Sequence, residues 1–118
     1  MMYLTVRNVT RNVELGRKVR LAASLMDRTI GLLMTARLSA GEGMYLSPCK
    51  SIHTFFMRYP IDTLFLDANG TVIRQGTLRP WRMSGWQAQC RGVLELMEGT
   101  LSRTGTRVGD RITLEGLN

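Results

Sequence analysis

The chain has 118 residues, 44% hydrophobic and 21% charged, the proportions of an ordinary globular protein long enough to bury one core without disulfide or metal staples. Sixteen Lys and Arg against nine Asp and Glu give a formal charge of +7, which favours anionic partners. No apolar run approaches the roughly 18 residues of a membrane helix, so no membrane insertion is expected and the chain reads as one soluble, basic domain over residues 1–118.

The opening "MMYLTVRNVTRNVELGRK" lacks the charged start, long apolar stretch and small-residue cleavage site of an export signal, which predicts a cytoplasmic location. In a reducing compartment Cys49 and Cys90, too few for a disulfide framework, stay as thiols. "MYLTVRNV" alternates as a strand and "RKVRLA" supplies a second, with Asn8, Asn12 and Gly16 punctuating the stretch between. The period then changes: Leu25, Met26, Ile30, Leu33 and Met34 fall at helical spacing after the capping residue Ser24, which predicts a main helix over about 24–35.

A short strand is expected over Met44 to Leu46, followed by two extended segments, "SIHTFFM" and "IDTLFLD". The second is apolar on both faces, Ile61 and Phe65 pointing one way and Leu64 and Leu66 the other, so it belongs in the middle of the fold. "DANG" at 67–70 is a hairpin turn and "TVIRQGTL" the returning strand. Residues 79–90, "RPWRMSGWQAQC", have no period and read as a long loop. "GVLEL" resumes a strand, a second short helix is expected over about 98–104, stopping at Gly105, and "VGDRITLEG" closes with a turn and a last strand. The expected class is α+β and β-rich: a small barrel-like or rolled antiparallel or mixed sheet carrying one main helix and one short one.

In this order, "RTIGLLM" at 28–34, "LSAGEGMYL" at 38–46, "HTFFMRYPIDTLFLDANGTV" at 53–72, "VLELMEGT" at 93–100 and "GDRI" at 109–112 resemble the domain of unknown function 192 family, over about residues 20–114. The resemblance implies a β-rich, barrel-like fold and no established activity, so it supplies no catalytic residues. Many relatives carry a signal peptide and have tryptophan and asparagine near Phe56 and Arg58 to Tyr59; this chain departs on both counts and resembles a cytoplasmic subgroup.

Three sets of residues could carry chemistry. Cys49 and His53 stand four apart, a spacing that suits a shared metal or a thiolate-imidazole pair only on a helix. On an extended chain their Cα atoms are roughly 13 Å apart, so the pair works only if Pro48 to Ser51 bends back. Even with Cys90 the soft ligands fall short of the four a structural zinc wants, so neither a metal nor a cofactor is expected. The structural alternative makes Cys49 a small buried hydrophobe and His53 a hydrogen-bonded ring. Asp62, at the head of the most apolar strand, needs a partner: Arg58, His53 or the backbone amides of a turn.

Trp81 and Trp86, with Arg79, Arg82 and Arg91 around them, could hold an anion and stack a ring, or could simply pin a long loop to the barrel. The first functional expectation is therefore a non-enzymatic binding or accessory module that meets an unknown protein or a small anionic ligand through Trp81, Arg82, Arg79, Trp86 and His53. A small hydrolase or transferase built on Cys49, His53 and Asp62 is one alternative. Nucleic-acid binding through the basic surface is the other, not favoured because arginine is spread from Arg7 to Arg111 without forming a run.

Overall fold

The computed structural model describes residues 3–22, 38–55 and 57–116. The alternation in "YLTVRN" buries Leu4, Val6 and Asn8 on one face, and this segment is strand β1 (Tyr3–Asn8). It is followed by β2 (Val13–Ala22), β3 (Glu42–Leu46), β4 (Ile61–Leu66), β5 (Val72–Leu78), β6 (Gly92–Met97), the short helix α1 (Thr100–Thr104) and β7 (Ile112–Gly116). The helix expected over about 24–35 lies outside the described residues. The helix expected over about 98–104 is α1; it starts later because Gly99 takes a φ of 98°, which no helical residue can adopt, and it stops at Gly105.

The described strands form one sheet in the order β5-β4-β6-β3-β2-β1-β7. Neighbours are antiparallel except β2 and β3, which run parallel. The sheet curls into a half-barrel whose two edges meet at one end. There Thr71 and Arg111 bridge, with Val72 N–H donating to Asp110 O at 2.9 Å and Ile112 N–H to Gly70 O at 2.8 Å. Two aspartate turns make this closure. Asp67 Oδ1 accepts from the amides of Asn69 and Thr71, both at 2.9 Å, while Gly70 supplies the φ of 80° that the turn demands. Asp110 Oδ2 accepts from the Arg107 amide at 3.0 Å in the second turn.

All six residues of β4 are buried, as a strand apolar on both faces requires. Ile61 and Phe65 pack with Met44, Leu46 and Val93 and with the covering residues Cys49, Ile52, Met57, Tyr59 and Cys90. Leu64 and Leu66 face the opposite way into the curl, against Leu4, Val6, Leu94, Leu96, Leu101 and Ile112. The described residues of 51–57 differ from the expected strand: they do not join the sheet, and among them only His53 forms a bridge, to Met83. Thr54 is the cause, because its carbonyl accepts from both Met57 N–H and Trp81 N–H and so bends the chain away after one short extended run. Among the described residues no helix is long and apolar enough to cross a membrane.

Candidate functional site

Two irregular segments, 49–54 and 79–91, are joined by a main-chain ladder outside the sheet. Thr54 N–H donates to Arg82 O at 2.9 Å, Trp81 N–H to Thr54 O at 3.0 Å, Ser84 N–H to Ile52 O at 2.9 Å, Gln87 N–H to Lys50 O at 2.9 Å and Cys49 N–H to Arg91 O at 3.0 Å. Buried side chains finish the accounting for the backbone. Thr54 Oγ1 donates to Arg79 O at 2.5 Å and accepts from Arg82 N–H at 3.0 Å, and Ser84 Oγ accepts from Ile52 N–H at 2.9 Å. Two cations tie the loop down further: Lys50 Nζ donates to the carbonyls of Ala88 and Cys90, and the Arg74 guanidinium donates to Ser84 O while lying over the Phe65 ring. The long loop is therefore a fixed platform.

On this platform His53 stacks on Phe55 with ring centres 4.8 Å apart, and Phe55 on Trp81 at 6.0 Å, the planes tilted by 28° and 29°. His53 Nδ1 accepts from Phe55 N–H at 3.3 Å, so in the neutral ring the proton sits on Nε2 and is available as a donor. Trp81 is 54% exposed, Met83 70% and Trp86 69%, with Arg79 and Arg82 exposed beside them. Trp81 also holds a left-handed φ of 63°, a conformation that costs a bulky residue about 1–2 kcal/mol and that its amide bond to Thr54 O helps to maintain. The ladder thus brings His53 and Trp81 to one ring stack, and Arg79, Arg82 and Trp86 stand exposed on the same fixed loop. Phe55 and Met83 complete the same surface; period-two spacing from His53 to Phe55 is the signal that links the first of them to it.

Asp62 is elsewhere. Its Oδ1 accepts from Thr77 Oγ1 at 2.7 Å, and its Oδ2 accepts from the amides of Gly99 at 3.1 Å and Leu101 at 2.9 Å. Of the partners the sequence allows, the backbone amides of a turn are the ones it takes. Asp62 alternates with Ile61 and so shares the face of Leu64, whereas Cys49 packs with Ile61 and Phe65 on the other face. The sheet stands between them. Cys49 is buried, with its thiol donating to Ser51 O at 3.1 Å, and His53 lies exposed at the outer end of the ladder. The Cys90 thiol donates to Gly92 O at 3.2 Å, and burial pushes its pKa above the ordinary cysteine value. Beside Asp62, an open cleft of about 500 Å³ is lined by Gln75, Thr77, Glu98, Ser102 and Arg107. Among the described residues no group of three or more His, Cys, Asp or Glu is placed to hold a metal ion.

The family model for DUF192, described as Uncharacterized ACR, matches residues 6–114. The match takes in the second half of β1 and all of β2, whereas the resemblance legible in sequence motifs begins at about residue 20. A UPF0127 protein of Pyrococcus horikoshii is 33% identical over 110 residues, covering 89% of this chain and 94% of its own. Another from Pyrococcus furiosus is 30% identical over 110 residues, covering 89% and 93%. Among solved structures, a Sinorhizobium meliloti protein provisionally named a transcription regulator superposes with a TM-score of 0.78 at 23% identity, covering 97% of this chain and 94% of that one. A Novosphingobium aromaticivorans protein of unknown function gives 0.75 at 20% identity, covering 93% and 82%. These two likenesses show a shared fold.

Proposed function

Since this chain belongs to the domain of unknown function 192 family, whose description assigns no activity, we propose from its own geometry that it is a small non-enzymatic binding or accessory module. Its contact surface is the platform of His53, Phe55, Arg79, Trp81, Arg82 and Trp86. The observation that carries this reading is the combination of rigidity and exposure. A loop held by five main-chain bonds nevertheless presents two tryptophans and a methionine to solvent, and aromatic residues, methionine and arginine are the types enriched where proteins meet partners. A loop whose tryptophans only pinned it to the barrel would bury them. The left-handed backbone at Trp81 supports the same reading, because strain of that kind gathers at binding sites.

The test compares the parent chain with Trp81→Ala/Arg82→Ala as affinity baits. The variant keeps the parent's circular dichroism and melting temperature, because both side chains are exposed, and it loses whatever component the parent retains. The recovered component is then added back to the parent while tryptophan emission is followed. Trp81 and Trp86 are the chain's two tryptophans, so emission reports on this surface alone. A component retained equally by the variant, or one that leaves the emission unchanged, would sink the reading.

A further inference from the structure

The charge of the chain is not evenly spread once the ladder is taken into account. Residues 43–61 and 68–94 hold six of the sixteen Lys and Arg (Lys50, Arg58, Arg74, Arg79, Arg82 and Arg91) and none of the nine Asp and Glu. Those two stretches therefore carry a formal +6 of the total +7, and they are the stretches that the ladder between 49–54 and 79–91 joins. Arginines that look scattered along the sequence fall on two joined stretches that contain no acid. The acids that bracket the stretches are engaged internally or buried. Glu42 Oε1 accepts from Ser39 N–H, Asp67 caps its own turn, Asp62 holds α1, and Glu95 is buried in β6. Among the described residues the ion pairs Arg11–Asp110 and Arg17–Glu14 lie outside both stretches. Lys50 and Arg74 serve loop carbonyls, while Arg58, Arg79, Arg82 and Arg91 have no carboxylate partner among the described residues.

This positive surface also carries flat rings: the His53–Phe55–Trp81 stack and the exposed Trp86. Guanidinium groups recognise phosphates by bidentate hydrogen bonds, and aromatic faces recognise bases by stacking. An acidic peptide would satisfy the first set and leave the second idle. A duplex presents phosphates but hides its base faces in the stack. An unpaired strand offers both features. Resting on the platform reading above, we infer that the ligand of this surface is single-stranded nucleic acid, with phosphates on Arg79 and Arg82 and bases stacked on Trp81 and Trp86.

The test is fluorescence anisotropy of labelled oligo-dT and oligo-rU strands of about 12 nucleotides, with a duplex and an oligo-glutamate peptide of matched length beside them. The parent binds at least one of the two strands about 10-fold or more tightly than either the duplex or the peptide, and whether dT or rU binds better tells DNA from RNA. Three or four phosphate contacts make this affinity fall about 20- to 50-fold between 50 and 200 mM salt. Trp81→Ala and, separately, Trp86→Ala each weaken strand binding about 5- to 150-fold. Arg79→Ala/Arg82→Ala flattens the salt dependence, and Arg103→Ala, exposed on α1, changes nothing. If Trp81→Ala alone loses its fold, Trp86→Ala decides. Absence of binding to both strands, equal binding to duplex, or the same loss from Arg103→Ala as from Trp86→Ala overturns the inference. Tighter binding of the peptide that depends on Trp81 overturns it too, while leaving the platform reading in place.

Discussion

Replacing Asp110 by alanine should destabilise the fold by about 2–4 kcal/mol, and the figure follows from what its carboxylate holds. Asp110 is buried, and Oδ2 accepts from Asn8 Nδ2 at 2.9 Å, from Arg11 Nε at 2.6 Å and from the Arg107 amide at 3.0 Å. Each bond to an ionised group contributes about 1.5–3 kcal/mol, but Arg11 keeps 37% of its side chain in water and re-solvates when its partner is lost, which lowers the total. For 118 residues a loss of this size lowers the melting temperature by about 8–16 °C. Burial alone would raise the Asp110 pKa; the donors Asn8, Arg11 and Arg107 together outweigh it and hold the carboxyl below the usual carboxylate range. The contribution of the charge is therefore full above the unfolded value of about 3.9 and is lost as pH falls through the lower folded value. Urea titrations of parent and Asp110→Ala should show the full gap at pH 7 and a shrinking gap below about pH 4, with Asp110→Asn in between at neutral pH. A gap under about 0.5 kcal/mol at pH 7, or one that widens in acid, would refute the argument.

Asp62→Ala should cost about 2–3 kcal/mol in the same titration, because the Gly99 and Leu101 amides and the Thr77 hydroxyl all lose their acceptor; a neutral result would mean that water in the adjoining cleft replaces the carboxylate. Gly70→Ala should cost about 2 kcal/mol or more, since the residue sits at a φ of 80° and an added Cβ would lie 2.6 Å from Ile112 O; an unchanged midpoint would exclude strain at this turn. Cys49 and Cys90 should resist Ellman's reagent at pH 8 until the chain is unfolded, because both are buried and burial holds the Cys90 thiol above its ordinary pKa; rapid labelling of both in the native state would contradict their placement.

What the sequence shows of this fold is local. The double-faced run at Ile61–Leu66, the Asp67 and Asp110 turns and the stop at Gly105 are each decided by a few consecutive residues, and the structure has them where the pattern puts them. What it does not show depends on partners far along the chain. The turn that satisfies Asp62 lies 37 to 39 residues away, so no reading of "PIDTLF" can choose between it and Arg58 or His53. The stretch "SIHTFFM" reads as a strand because it alternates, yet its main-chain hydrogen bonds to the rest of the fold go to the loop 27 to 32 residues later, and that pairing sets it outside the sheet.

The same limit explains why the surface charge looks diffuse in sequence. Arg58, Arg79, Arg82 and Arg91 are separated by 3 to 21 positions and form no run, and nothing local distinguishes them from Arg7 or Arg103. What sets them apart is the absence of acids over the two stretches that carry them, and that absence gains physical meaning only when Thr54 and Ile52 pair with Arg82 and Ser84. Fields add in space, so a charge census taken along the chain underestimates a patch assembled by non-local pairing. An even spread of arginine in sequence is therefore weak evidence against a polyanion site in a β-rich chain, whose neighbours in space are mostly distant in sequence.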